Sequence, residues 1–166
     1  MLPAYVPNPV AAAAGGGKPI DDGRVFTDGK RIFGDGKTWR GLGIGILAGI
    51  LVGAIQIVLQ IQLGLISVPW HTPLSVILFA TGALLGDIAK SFIKRRMGKD
   101  RGAKWPVADQ YDLVIGAFIL AILFDYSWFA HVISIPLIII IIIMTPLLHR
   151  GTNLIGYAIG VKKEPW

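Results

Sequence analysis

Forty-six consecutive residues, Gly41 to Gly86, contain no Asp, Glu, Lys or Arg, and Tyr126 to His149 adds a second uncharged run of 24. A hydrocarbon core about 30 Å thick takes roughly 20 apolar helical residues to cross. The two runs therefore demand helices that span a membrane. Of the 166 residues, 54% are hydrophobic and only 16% are charged, so most of the chain belongs in lipid. The predicted fold class is all-α: a multi-pass transmembrane helical bundle forming one integral membrane domain over residues 1–166.

Breaks in the apolar pattern divide the bundle. Residues 41–68 make a clear span, ended by "PWHTP" (Pro69 to Pro73), where each proline removes a backbone donor and clashes with the preceding turn. Residues 74–92 make the next. Pro106 is well placed as the first residue of a helix that continues to 124. "DYSWFAH" (Asp125 to His131) is a short polar break with aromatic anchors, and residues 132–148 form the last clear span, which "GTNLIGYAIG" either extends or leaves at the surface. "MLPAYVPNPVAAAAGGG" is apolar, short and interrupted by proline; residues 2–17 are expected to be a short, kinked fifth span, or the tail of one beginning upstream.

The charges orient this map. Residues 18–40 hold six of the sixteen Lys and Arg, spaced by glycine in "DDGR", "TDGK" and "GDGK", which read as turns. The loop 93–105 and the tail after Arg150 carry nearly all the rest, whereas the breaks at 69–73 and 125–131 carry none. Basic connections alternate with uncharged ones, so the basic set is expected on the cytoplasmic side, together with the C-terminus. The net charge of +6 therefore reflects membrane orientation. No basic face is interleaved with aromatics, so nucleic acid is not an expected partner. With no cysteine, disulfides, thiol catalysis and thiolate metal sites are excluded. The first residues lack the basic stretch of a secretory signal.

Three places carry chemistry. Asp87 lies seven residues before Lys94 on a helix, about 10 Å back along the axis; an acid at that depth faces protein or a water-filled cavity. With Ser91 and Lys94 it shares one helical face, and Arg95 follows. A charged collar, with Asp87 neutralised by Lys90 or Ser91, is the alternative reading. In "PVADQYD", Asp109 and Asp112 are spaced i, i+3 and project from one side of the helix begun by Pro106. Acids in a first turn are also favoured by the helix dipole without any metal. Yet Asp87 and this pair flank one short loop, so adjacent antiparallel helices would bring three carboxylates together beside Lys94, Arg95, Lys99 and Lys104, a donor set that suits Mg²⁺. "GDGKTWRG" (Gly34 to Gly41), with Asp35, Lys37, Thr38 and Arg40, makes a cationic, amide-rich turn before a helix, suited to phosphate. It is not a P-loop, because the upstream glycine spacing fails and no strand precedes it. His71, His131, His149 and Asp125 are read as interfacial or structural.

"GDIAKSFIKRRMGKDRG…PVADQYD" is similar to the signature of the membrane CTP-dependent phosphatidate cytidylyltransferases, the CDP-diacylglycerol synthases. Gly86, Asp87, Ser91, Lys94, Arg95, Lys99, Asp100, Asp109 and Asp112 carry it. A Pro-Gly-His-Gly-Gly run precedes the aspartate pair in the bacterial pattern; here Pro106 leads directly into "VADQYD". The archaeal branch, the CDP-archaeol synthases, fits better through "LPAY…GGGKPID" and "DGKRIFGDGKTWRG". The resemblance implies an enzyme that transfers the cytidylyl group of CTP to an unsaturated diether glycerol-1-phosphate lipid, releasing pyrophosphate, with Mg²⁺ as cofactor. It further implies that Asp87, Asp109 and Asp112 hold Mg²⁺ and that Lys94, Arg95 and Lys99, near Ser91 and Asp100, bind phosphates. Lys37, Thr38 and Arg40, with Asp35, would form a second nucleotide-binding edge. The site would face the cytoplasm, with CTP entering from water and the lipid from the membrane. In that family the first span begins before "LPAY".

Two rivals remain open from the residues alone. A CTP-dependent polyprenol or phytol kinase would release CDP. A small lipid or ion transporter would couple Asp87 to ions and consume no nucleotide.

Overall fold

The computed structural model describes residues 1–65, 69–100 and 102–161. The expected end of the second span at 66–68, Arg101 of the basic loop and the tail 162–166 lie outside the described residues. Among the described residues seven helices follow in order: α1 (Leu2–Tyr5), α2 (Pro7–Ala14), α3 (Trp39–Gln62), α4 (Pro73–Arg96), α5 (Pro106–Phe124), α6 (Tyr126–Val132) and α7 (Ile135–Ala158). Among the described residues there is no strand, only isolated bridges between Pro19 and Thr38 and between Val25 and Arg31.

Among the described residues four helices, α3, α4, α5 and α7, are long and apolar enough to cross a membrane. The N-terminal crossing expected at 2–17 is not one of them. Its two helices of four and eight residues amount to roughly 20 Å of rise, short of a hydrocarbon core of about 30 Å. They lie against α3, where a Cβ on Gly45 would come within 2.8 Å of the Pro7 carbonyl and one on Gly49 within 2.7 Å of the Pro3 carbonyl.

Capping sets most of the other boundaries. Thr38 caps α3, its hydroxyl accepting from the Gly41 amide at 3.1 Å. Thr72 and Ser75 form a reciprocal capping box around Pro73. Pro106 opens α5 as the sequence predicts. Three boundaries differ from expectation. α3 ends at Gln62 rather than Val68. α4 runs one turn further, to Arg96, so Ile93 to Arg96 are helical rather than loop. "DYSWFAH" is largely the helix α6, and α7 begins at Ile135; of the two readings of "GTNLIGYAIG", α7 takes in its first eight residues.

The core lies between α4 and α5, with Phe79, Ala83, Leu113, Val114 and Ala117 buried there. Without a hydrophobic driving force between helices in lipid, such contacts depend on close packing. Glycines permit it: a Cβ on Gly82 would lie 2.5 Å from the Gly116 carbonyl oxygen, and one on Gly86 would overlap the carbonyl of Asp112. At the end where α4 begins, Trp128 donates to the Trp70 carbonyl at 3.0 Å and stacks on His71 at 5.5 Å, which supports the structural reading of that histidine. α7 contains Pro146, which leaves the Ile142 carbonyl without its usual helical donor. The Tyr111 hydroxyl takes that place, donating to Ile142 at 2.8 Å.

A lysine–aspartate cluster as the candidate active site

The loop 15–38 is built on Asp21. This carboxylate is almost wholly buried and accepts from the Arg31 guanidinium at 2.6 Å, and from the amides of Gly34 (2.8 Å), Phe33 (2.9 Å) and Gly23 (3.3 Å). Burial works to raise its pKa, but Arg31 and these amides outweigh it and hold the carboxyl well below the usual carboxylate range. The loop then docks on the end of α4. Arg96 donates to the carbonyls of Arg31 (2.5 Å) and Lys30 (3.2 Å), pairs with Asp28 at 3.0 Å, and lies over the rings of Phe26 and Phe92. Both basic connections therefore meet at one end of the bundle.

Asp21→Asn should loosen this loop. A hydrogen bond to a charged group contributes roughly 1.5–3 kcal/mol, so native-state tryptic cleavage at Arg24 and Lys30 is expected to rise about tenfold or more. Because folding depresses the Asp21 pKa, the stabilisation is present above the unfolded value near pH 4 and is lost as pH falls below it. Cleavage in the parent protein should therefore be flat through neutral pH. Equal cleavage of variant and parent at pH 7 would show that Asp21 does not hold the loop.

What the docked loop delivers is Lys37. Its ammonium pairs with Asp87 Oδ2, across 50 residues of sequence. One turn along α4, Lys90 Nζ lies 3.2 Å from Asp87 Oδ1, 3.4 Å from Asp109 Oδ1 and 2.7 Å from Asp112 Oδ2. Lys94 completes the group, 2.6 Å from Asp109 Oδ1 and 2.8 Å from the Ala103 carbonyl. The Trp105 amide donates to Asp109 Oδ2 at 2.7 Å, so Asp109 caps its own helix as well as meeting the lysines. Three ammonium groups thus balance three carboxylates in a largely buried cluster. Close packing of α4 on α5 at Gly86 brings the two acidic segments within reach of one another.

The three carboxylates named from the sequence do converge, and Lys94 and Lys37 converge with them. The centre is Lys90, which the sequence offered only as a neutraliser of Asp87; its i, i+3 spacing from Asp87 was the signal available. Thr38 is the buried cap of α3, and Asp35 pairs with Arg31 at 2.7 Å rather than entering the cluster. Arg40 and Asp100 are exposed and Ser91 is buried in α4. Arg95 donates to the Lys99 carbonyl at 2.6 Å, beside Gly34, so it and Lys99 lie to one side of the carboxylates.

Beside Asp87 a small recess of about 70 Å³ opens between α2, α3, α4 and the end of the loop, lined by Asn8, Ala12, Lys37, Thr38 and Leu84 among others. The Asn8 side-chain oxygen is buried there without a hydrogen-bond partner.

The donor set fits Mg²⁺ in kind, since hard carboxylate oxygens suit it and Asp112 Oδ1 is buried with no hydrogen-bond partner. As the side chains stand, no group of three among the described residues is arranged to ligate an ion. The Lys90 ammonium fills the middle of the trio.

Comparison with known proteins follows from this geometry. A family model described as CarS-like, CDP-archaeol synthase, matches residues 1–166. The CDP-archaeol synthase of Methanosphaerula palustris is 60% identical over 166 residues, covering 100% of both chains. That of Methanosarcina barkeri is 50% identical over 175 residues, again covering 100% of both. A solved structure, described as that of an intramembrane enzyme for archaeal membrane lipids biosynthesis, is 31% identical, with a TM-score of 0.68 over 98% of this chain and 90% of the other.

Proposed function

The chain belongs to the CDP-archaeol synthase family, and from that premise we propose that the lysine–aspartate cluster is where it joins the cytidylyl group of CTP to an archaeal lipid phosphate. It is a multi-pass membrane nucleotidyltransferase of archaeal phospholipid synthesis. The observation that carries the site assignment is the meeting of Lys37, Lys90 and Lys94 with Asp87, Asp109 and Asp112 at the end of the bundle where the two basic loops join.

The chemistry asks for charge control rather than proton transfer. An oxygen of the lipid phosphate, already anionic at neutral pH, attacks the α-phosphorus of CTP. The new P–O bond forms as the bond to the bridging oxygen breaks, and pyrophosphate leaves. Positioning and electrostatic stabilisation dominate such transfers. Lys37, on the recess side, is placed to hold the triphosphate, while Lys90 and Lys94 face the junction of α4 and α5. Asp87, Asp109 and Asp112 would hold Mg²⁺, which supplies Lewis-acid neutralisation of the phosphoryl oxygens when bound. Basic loops favour the cytoplasmic side, where CTP arrives from water and the lipid from the flanking bilayer.

Incubation with CTP labelled at the α-phosphorus, Mg²⁺ and a diether glycerol-1-phosphate lipid should move label into the lipid fraction. Label entering only from the γ-position would mean kinase chemistry with release of CDP, and no transfer from either would overturn both. Replacing the diether by phosphatidate tests the lipid assignment. Lys37→Ala should raise KM for CTP about tenfold with a smaller change in kcat, the pattern of lost binding that is uniform between ground and transition states. An unchanged KM would make the "DGKTWRG" segment purely structural.

A further inference from the structure

Lys90 stands where a bound cation would stand. Its ammonium lies within 3.4 Å of an oxygen of each carboxylate in the trio. It is largely buried, and Asp112, at 6% exposure, has an oxygen that no donor satisfies. Mg²⁺ requires oxygens at about 2.0–2.1 Å in near-octahedral array. The same oxygens cannot close on a metal while an ammonium sits among them, and the two positive charges repel. Lysine is a point charge on a flexible four-carbon stem, able to change partners without moving the backbone.

We infer that Lys90 is a displaceable counter-ion, neutralising the carboxylate trio before substrate arrives and turning to the nucleotide phosphates when a divalent cation takes the carboxylates. The inference rests on the reading above that the trio holds Mg²⁺. It follows from the place of the Lys90 ammonium among the three carboxylates. The resting cluster holds three ammonium groups against three carboxylates. A divalent cation alone would leave it over-positive, and a triphosphate alone would leave it over-negative. With both bound, the cation partly offsets the triphosphate, and Lys90, displaced from the carboxylates, is free to meet the phosphates. Lys90 thereby couples occupancy of the metal site to that of the nucleotide site.

The test uses the full chain in detergent or nanodiscs, with Mn²⁺ as the probe followed by electron paramagnetic resonance. Without nucleotide, Lys90→Gln should bind Mn²⁺ about tenfold or more tightly than the parent, because a neighbouring positive charge is gone. At saturating Mn²⁺ the same variant should bind CTP about tenfold or more weakly. Opposite signs are the signature, since a variant that merely damaged the fold would weaken both. Mn²⁺ binding no tighter than in the parent, or CTP binding unchanged, would overturn the role of Lys90.

A second measurement needs no variant. Acylation of Lys90 in the parent protein, read by mass spectrometry, should rise when Mn²⁺ is added and fall when CTP follows; labelling indifferent to Mn²⁺ would overturn the displacement. Adding Asp112→Asn or Asp109→Asn to Lys90→Gln separates the two levels. If these leave Mn²⁺ binding untouched, the trio is not the metal site. If they abolish it while Lys90→Gln shows no gain, only the counter-ion role fails.

Discussion

Gly86→Ala is expected to lower turnover about 100-fold, the loss that accompanies roughly 1 Å of misplacement in a catalytic arrangement. The added Cβ would overlap the Asp112 carbonyl oxygen, lie 3.0 Å from the carbon of that carbonyl and 3.2 Å from the Gly116 Cα. All three are backbone atoms of one helix, so no side chain can rotate away to make room. α5 must retreat by about 1 Å to restore van der Waals contact. That movement carries Asp109 and Asp112 away from Lys90 and Lys94. Overpacking of this kind costs about 1–3 kcal/mol in stability, so the melting temperature should fall as well. Gly43→Ala is the matched control, because a Cβ there meets nothing within 4 Å and alanine is the better helix former by about 1 kcal/mol. It should keep full activity. A fully active Gly86→Ala would show that the close approach of α4 and α5 does not set the site.

Asp112→Asn and Asp109→Asn are expected to lower turnover by about 100- to 1000-fold each, the range for removing one preorganised electrostatic contact to a transition state. Both substitutions keep shape and hydrogen-bonding capacity and remove one negative charge. Three ammonium groups would then face two carboxylates. The effect should be larger at Asp112, which is the more buried and lies 2.7 Å from Lys90. Asp109 retains a second duty, since its side chain caps α5 through the Trp105 amide, and an amide oxygen can still accept that bond. Both variants should remain monodisperse on gel filtration, which separates lost chemistry from lost folding. Full activity in either, at saturating Mg²⁺, would remove that residue from the site.

Much of the architecture was legible because lipid is a demanding solvent. The uncharged runs read as helices, and Pro106 marks where one begins. The boundaries that went astray share a cause. Ile93 to Arg96 read as loop because they introduce charge, but basic side chains are favoured at a helix C-terminus, so α4 carries them in its last turn. "DYSWFAH" read as a break because it is polar, yet a short amphipathic helix seats Trp128 against Trp70 and His71. Residues 2–17 form two short helices divided at Val6, which pack against α3.

The site divides along the same line. Asp87, Asp109 and Asp112 could be named because acids are costly beside apolar spans and conspicuous there, and "GDGKTWRG" because glycine and charge together mark an exposed turn. Their meeting could be expected only from the shortness of the loop between α4 and α5. Lys90 was hidden by its context, since a lysine near the end of a membrane helix is what the bilayer interface favours anyway. Asp21 and Arg31 looked like ordinary turn residues, although they fold the loop that carries Lys37 onto Asp87. The sequence by itself determined that this chain spans a membrane, where its long apolar segments lie and which acids are out of place. Only the tertiary structure decided which ammonium sits among those acids. Solvent preference and helical period are properties of each segment alone, whereas the partner of a buried charge depends on how two helices are rotated and how closely glycine lets them approach.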